Sequence, residues 1–379
     1  MTQNQHTKSA QTLLDDEENA ISYISNEIYQ KDMTAVIFFC SPQYNLDKIT
    51  ASINRHFECM VIGCTTAGEI GDRYETGGIS AVSFSSKAFC LHPHLFNLSS
   101  NNIKDATSKI IATSALASKF KEDSVGKSSV GFLLIDGLTM KEEKTIGMIH
   151  DALPMLPIIG GSAGDNLNFE ETFVFYNKKF HTNSAIFTLI ETHLDFEIFQ
   201  FQHFQPSEIE IVVTDVDSSK RIVKEIDGEK ASQRFAELVN IPIEKLSPQT
   251  FSMNPLMLEI GKDWYVRSIQ KCNPDGSLQF YSAIENGLPL TLGKGMNIAK
   301  NLETRTQQIL KRFCNIELTL GCDCILRRLE ITERNKKTEI EKSLKKLNFI
   351  GFNTYGEQIN SIHVNQTLTG IVFGEKRSE

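Results

Sequence analysis

Three times along the chain the hydrophobic pattern repeats one order: an apolar run, a helical period, a second apolar run that ends in glycine, then a further apolar run. The first runs are "AVIFFC", "VGFLLID" and "IELTLGC". The segments after them, "LDKITASINRHF", "KEEKTIGMIHDAL" and "TEIEKSLKKL", place apolar residues three and four apart, as Ile49, Ile53 and Phe57 do, which predicts helices. Each helix leads into a glycine stretch: "VIGCTTAGEI", "IIGGSAGDN" and "FIGFNTYGE". The closing runs are "GGISAVSFS", "NSAIFTLI" and "TLTGIVFG". Gly63, Gly160 and Gly351 are the equivalent glycines, and the second spacing is close to twice the first. Matching flanks at regular spacing predict an internal repeat.

Between the second and third repeats the period changes to two. "DFEIFQFQHFQP" alternates aromatic or aliphatic residues with polar ones, and "EIEIVVTDVD" and "KRIVKEID" read as strands around a turn at Ser218 and Ser219. "GEKASQRFAELV" opens a helix after Gly228, and "GSLQFYSAI" and "LPLTLGKG" are further strands. The expected fold is α+β: two tandem mixed α/β domains whose mostly antiparallel or mixed sheets are covered by helices. The expected division is a polar, helical segment over 1–30, a first domain over 31–205, linking strands over 206–227 and a second domain over 228–379.

Composition narrows the classes. The chain has 379 residues, 23% of them charged, and a net charge of −8. That charge leaves no basic excess for nucleic acid. The basic stretch "RRLEITERNKK" carries interleaved acids and reads as a solvated helix face. The polar start shows no export signal and no apolar run reaches membrane-span length, so a cytoplasmic protein away from the membrane is expected. Eight cysteines form no C-x-x-C pair, consistent with reduced thiols.

The small residues from Gly63 to Gly68, with Cys64 among them, and from Gly160 and Gly161 to Gly164 admit two readings. They let strands approach closely, or they clear space for a ligand. A phosphate cradle fits poorly, because no G-x-G-x-x-G is present and Glu69 and Asp165 stand close by. Cys64 as a nucleophile, or Cys322 and Cys324 of "GCDC" as metal ligands, lack recognisable partners, so an enzyme is not expected. "LHPHLF" puts His92 and His94 on one strand face, a candidate metal pair. His203 stands among Phe199, Phe201, Phe204 and Pro206. An imidazole among aromatics suits a haem iron, with the rings against the porphyrin; a core histidine with a hydrogen-bonded partner is the competing reading.

"VIGCTTAGEI", "IIGGSAGDN", "VKEIDGEKASQRF" and "NTYGE…HVNQTLTGIVF" together resemble the FIST sensory domain, in its N-terminal and C-terminal parts, over roughly residues 30 to 370. The resemblance implies a small-ligand sensor of bacterial signalling. "FQHFQP" and "CDCILRRLE" are similar to the stand-alone, haem-binding members that sense nitric oxide and act on a separate histidine kinase. On that resemblance His203 is the metal ligand, haem b the cofactor and nitric oxide the signal, with a homodimer left open. The alternative is a haem-independent sensor of a metabolite such as an amino acid.

Overall fold

The computed structural model describes residues 5–98 and 128–377. It is a mixed α+β fold whose described strands form four sheets. Three of the sheets are built alike. In the first, Met33–Cys40 pairs in parallel with Met60–Thr65 and antiparallel with Ile79–Ser85, and Thr7–Thr12 closes one edge. In the second, Ser128–Ile135, Ile158–Ser162, Ser184–Thr192 and Phe89–Asn97 take the same places. In the third they are taken by Phe313–Cys324, Phe349–Thr354, Leu368–Lys376 and Asp195–Phe201. The predicted repeat is therefore a structural one.

The remaining edge of each sheet is filled by a hairpin from another repeat. Val174–Tyr176, from the second, pairs with Met60–Thr65 of the first. Glu357–Ile359, from the third, pairs with Ile158–Ser162 of the second. Glu69–Ile70, from the first, pairs with Phe349–Thr354 of the third. The exchange is cyclic, so every repeat is completed by a neighbour's backbone. Each repeat glycine is a registration point, with Gly63 opposite Phe175, Gly160 opposite Gln358 and Gly351 opposite Ile70.

The unbroken apolar runs follow from burial on both faces. Along Met33–Cys40, Val36, Phe38 and Cys40 meet the helices Glu17–Glu27 and Leu46–His56. Ala35, Ile37 and Phe39 point the other way, into a core that also takes Phe132 and Ile159 of the second sheet and Leu320 and Phe352 of the third. Phe39 and Phe352 stack there with ring centroids 4.5 Å apart. The helix Leu46–His56 starts where the Asn45 side chain accepts from the amides of Asp47 and Lys48, filling donors that a helix start leaves open. Its buried face is Ile49, Ser52 and Ile53, with Phe57 buried just past its end, so the stripe of Ile49, Ile53 and Phe57 read from the sequence faces the core.

The glycines themselves answer a packing demand. A Cβ on Gly63 would strike the carbonyl oxygen of Phe38, one on Gly160 that of Leu133, and one on Gly351 that of Gly321. In all three cases the struck residue is its partner on the adjacent parallel strand. The three loops that follow then interlock. Gly164 N donates to Thr65 O at 3.1 Å, Ala67 N to Asn353 O at 3.0 Å, and Tyr355 N to Ser162 O at 3.2 Å.

The chain leaves the third repeat after Phe201 and re-enters it at the helix Ile298–Arg312. Between them lies an eight-stranded sheet with its own core of residues such as Val213, Val223, Phe235, Phe251 and Leu256. The segment 206–227 supplies two of its strands, Phe204–Asp217 and Ile222–Ile226. At the start of the chain, the strand Thr7–Thr12 was not legible in the polar sequence.

Gly63→Ala should destabilise the protein by about 2 kcal/mol, from overpacking against a carbonyl that cannot move aside. Gly147, in the helix Glu142–Ala152, has nothing within 4 Å of its Cβ position, so Gly147→Ala should stabilise by about 0.5–1 kcal/mol. Urea unfolding of both variants tests the contrast; equal effects would remove the close-approach explanation.

Candidate functional site

The glycine loops leave the sheets at the carboxyl ends of the parallel strands, where open α/β sheets commonly bind ligands. Two glutamates stand at equivalent places beneath them. Glu69 accepts from the Thr66 hydroxyl and from Gly78 N at 3.0 Å. Glu357 accepts from the Thr354 hydroxyl, from Thr367 N at 3.2 Å and from Thr367 Oγ1 at 2.8 Å. Each carboxyl thus ties its loop to the start of the strand that follows. Both are fully buried. Burial outweighs these hydrogen bonds and pushes Glu69 up to about 7 and Glu357 up to about 8. Asp165, the other acid of the loops, accepts from the amides of Phe169, Glu170 and Glu171 and from the Tyr355 hydroxyl.

Just outside the loops is a cavity of ≈ 410 Å³, within the range of small-molecule sites. Its polar lining includes Gln43 and Thr76 of the first repeat, Asn166 of the second, Arg328 and Glu333 of the third and Gln249 of the intervening sheet domain, with Ala67 and Leu167 beside them. Arg328 Nη1 donates to Ala67 O at 2.8 Å and Nη2 to Thr76 Oγ1 at 3.0 Å. No carboxylate lies within ion-pair distance of it among the described residues. Burial holds its guanidinium below the ordinary value. Gly68, at φ +146, must be glycine: a Cβ there would collide with Arg328 Nη1. Asn166 has a buried Oδ1 with no hydrogen-bond partner. A larger groove of ≈ 910 Å³ runs along the edge strand Thr7–Thr12 and contains none of the loop residues.

The residues singled out in the sequence lie apart from this cavity. Gly63, Cys64, Gly160 and Gly161 are fully buried between the repeats, where a Cβ on Gly161 would press on Phe352 at 2.8 Å and Cys322 Sγ at 2.9 Å. Burial pushes the thiols of Cys64, Cys322 and Cys324 well above their ordinary value, so none is an activated nucleophile. Phe199 and Phe201 stack at 4.4 Å within the helix-covered core of the third repeat. Phe204 packs with Met257 and Val266, and Pro206 is exposed at a register position opposite Gly293.

His203 lies at the exit toward the intervening domain and has no exposed surface. Its Nε2 is 2.9 Å from Glu330 Oε2, and its Nδ1 is 3.3 Å from Arg327 Nη1. Arg327 Nε donates to Asp323 at 2.6 Å, Tyr74 donates to the same carboxylate, and Arg334 donates to Glu330 at 2.7 Å. Desolvation lowers the His203 pKa despite Glu330. A porphyrin does not fit this arrangement: both ring nitrogens are engaged, the ring is enclosed, and His203 lines neither cavity described above. The "RRLEITERNKK" helix is likewise not a purely solvated face. Arg327 and Glu330 are buried, Arg327 paired with the buried Asp323 and Glu330 held by His203 from inside and by the half-exposed Arg334 from outside.

Residues 34–229 match the FIST N domain and residues 231–360 match the FIST C domain. The chain belongs to the FIST family. FIST domains are sensory domains of signalling proteins, sensory rather than catalytic. An uncharacterized protein of Methanocaldococcus jannaschii is 23% identical over 293 residues, which cover 67% of this chain and 56% of that protein. The chain thus matches about half the length of that relative. A solved structure of PurLQS from Thermotoga maritima covers 99% of this chain and 73% of its own at 8% identity, with a TM-score of 0.19, too low to bear on the fold. No helix among the described residues is long and apolar enough to cross a membrane.

The buried glutamates make stability depend on pH. Folding raises both from the ordinary 4.5, so the folded chain keeps protons that the unfolded chain releases. Their contribution is complete below about pH 4.5 and is lost as pH rises through about 7 and 8, by at most about 1.4 kcal/mol per pH unit for each carboxyl. Glu357→Gln, which stays neutral, should flatten the decline. Urea unfolding at about pH 6 and about pH 8.5 measures it, and an unchanged decline would refute the buried neutral carboxyl.

Proposed function

We propose that this FIST protein is a haem-independent sensor of a small carboxylate-bearing metabolite of the amino-acid type. The observation that carries the reading is one cavity lined both by a guanidinium with no ion-pair partner and by an asparagine whose Oδ1 has no donor. Arg328 is half-buried and has no carboxylate within ion-pair distance, with Glu69, Glu75 and Asp323 acting on it only from further off, and Asn166 Oδ1 is buried without a donor. A ligand carboxylate satisfies the first and a ligand ammonium or N–H the second. Asn166 Oδ1 is held away from water, where a missing partner is costly.

The same contacts supply a response. A carboxylate at Arg328 competes for the N–H groups that hold Ala67 and Thr76. It therefore favours a state in which the first repeat's loop is less tightly tied to the third repeat's helix. A ligand shifts an equilibrium only through such a difference between states. A separate signalling partner, a histidine kinase on the resemblance drawn from the sequence, would read the shift.

Thermal unfolding of the full chain in the presence of individual amino acids and related carboxylic acids tests the proposal. A ligand at a hundred times its Kd should stabilise the protein by about 2.7 kcal/mol. Arg328→Ala should abolish that gain, with folding checked by circular dichroism. A gain that survives Arg328→Ala would refute the site. A Soret band on haem reconstitution that disappears in His203→Ala and persists in Arg328→Ala would refute the haem-independent reading.

A further inference from the structure

On the outer edge of the second sheet, Phe89–Asn97 pairs antiparallel with Ser184–Thr192 and places Cys90 opposite Glu191. His92 follows two residues later on the same face of the strand as Cys90. Cys90 Sγ, a His92 ring nitrogen and a Glu191 carboxylate oxygen all lie within 4.8 Å of one another. His92 Nε2 stands 2.9 Å from Glu191 Oε2. The Glu191 side chain is 9% exposed and that of His92 35%, so the group has a buried floor and a solvent-facing side. Among the described residues this is the one cluster of three such side chains with converging ligand atoms.

We propose that Cys90, His92 and Glu191 form a zinc site that staples this edge strand to its neighbour. The donor set is one sulfur, one imidazole nitrogen and one carboxylate oxygen. That mixture suits zinc, whereas calcium and magnesium take oxygen ligands. Zinc bonds of about 2.0–2.3 Å put neighbouring ligand atoms roughly 3.5 Å apart in a tetrahedron. Small side-chain rotations bring the three donors there, and water takes the open position. On binding, the Cys90 thiol and the His92 imidazolium each give one proton to solvent, so His92 binds as the neutral ring, and thiolate plus carboxylate balance the dication. The site is remote in chain and fold from the Arg328 cavity, so its test does not depend on that reading.

The test uses the metal-free full chain. Zn²⁺ is titrated by calorimetry, and Co²⁺ serves as an absorbing probe of thiolate ligation. The expected result is saturable binding of one ion per chain, a thiolate-to-cobalt charge-transfer band, and a rise in Tm with Zn²⁺. Cys90→Ser should remove the band, and His92→Ala and Glu191→Gln should each weaken Zn²⁺ by about tenfold or more. Cys314→Ser serves as the control. Cys314 is also exposed, but it lies in the third sheet beside Glu375, and its removal should change nothing. Cys90 and His92 lie toward the surface, and retained far-ultraviolet circular dichroism establishes that the variants fold. Absence of saturable one-to-one binding overturns the proposal. So does a band that survives Cys90→Ser or disappears in Cys314→Ser.

Discussion

The missing Cβ at Gly63, Gly160 and Gly351 is the constraint on which the architecture rests. Each glycine lets the carbonyl of a neighbouring parallel strand come closer than any side chain would allow. At the same position each admits the hairpin donated by another repeat. Two backbones therefore converge on one residue from either side. Because the donation is cyclic, each of the three sheets depends on a hairpin from a neighbouring repeat. The interlocked loops and the shared core of Phe39, Phe132 and Phe352 follow from that approach.

The repeat and its elements were legible because they rest on local pattern. A strand buried on both faces must be apolar throughout, and a helix covering one face must show its stripe. The exchange of hairpins was not legible. Glu69–Ile70 and Val174–Tyr176 are two and three residues long, and nothing local marks which sheet they join. Of the two readings of the small residues, Gly63 and Gly160 follow the packing one. The cavity lies instead beside Ala67 and Asn166, at the far end of the same loops.

The charged helix shows a different limit. Alternating acids and bases on Ile325–Glu333 look the same in sequence whether water or other charges surround them. What separates Arg327 and Glu330 from a surface pair is His203 and Tyr74, distant in the chain. The aromatic setting of His203 suggested a haem pocket for a similar reason: Phe199, Phe201 and Phe204 are neighbours in sequence. In space, Phe199 and Phe201 serve the core of the third repeat, while Phe204 keeps its place against the His203 ring, with centroids 4.1 Å apart, and joins a cluster with Met257.

This helix also joins the cavity to the entrance of the intervening domain. Arg328 reaches the cavity, while Arg327 and Glu330 hold His203 from inside. Removing one partner of a buried charged pair costs about 3–5 kcal/mol, so the helix cannot turn about its axis without a large penalty. A change at Arg328 is thus more cheaply met by a small rigid displacement that keeps His203 in its grip. Met296 N donates to His203 O at 2.8 Å, which ties the returning chain to the departing one. Both crossings into the intervening domain are therefore held to one helix, and the buried charges around His203 form a rigid link between the cavity wall and that domain.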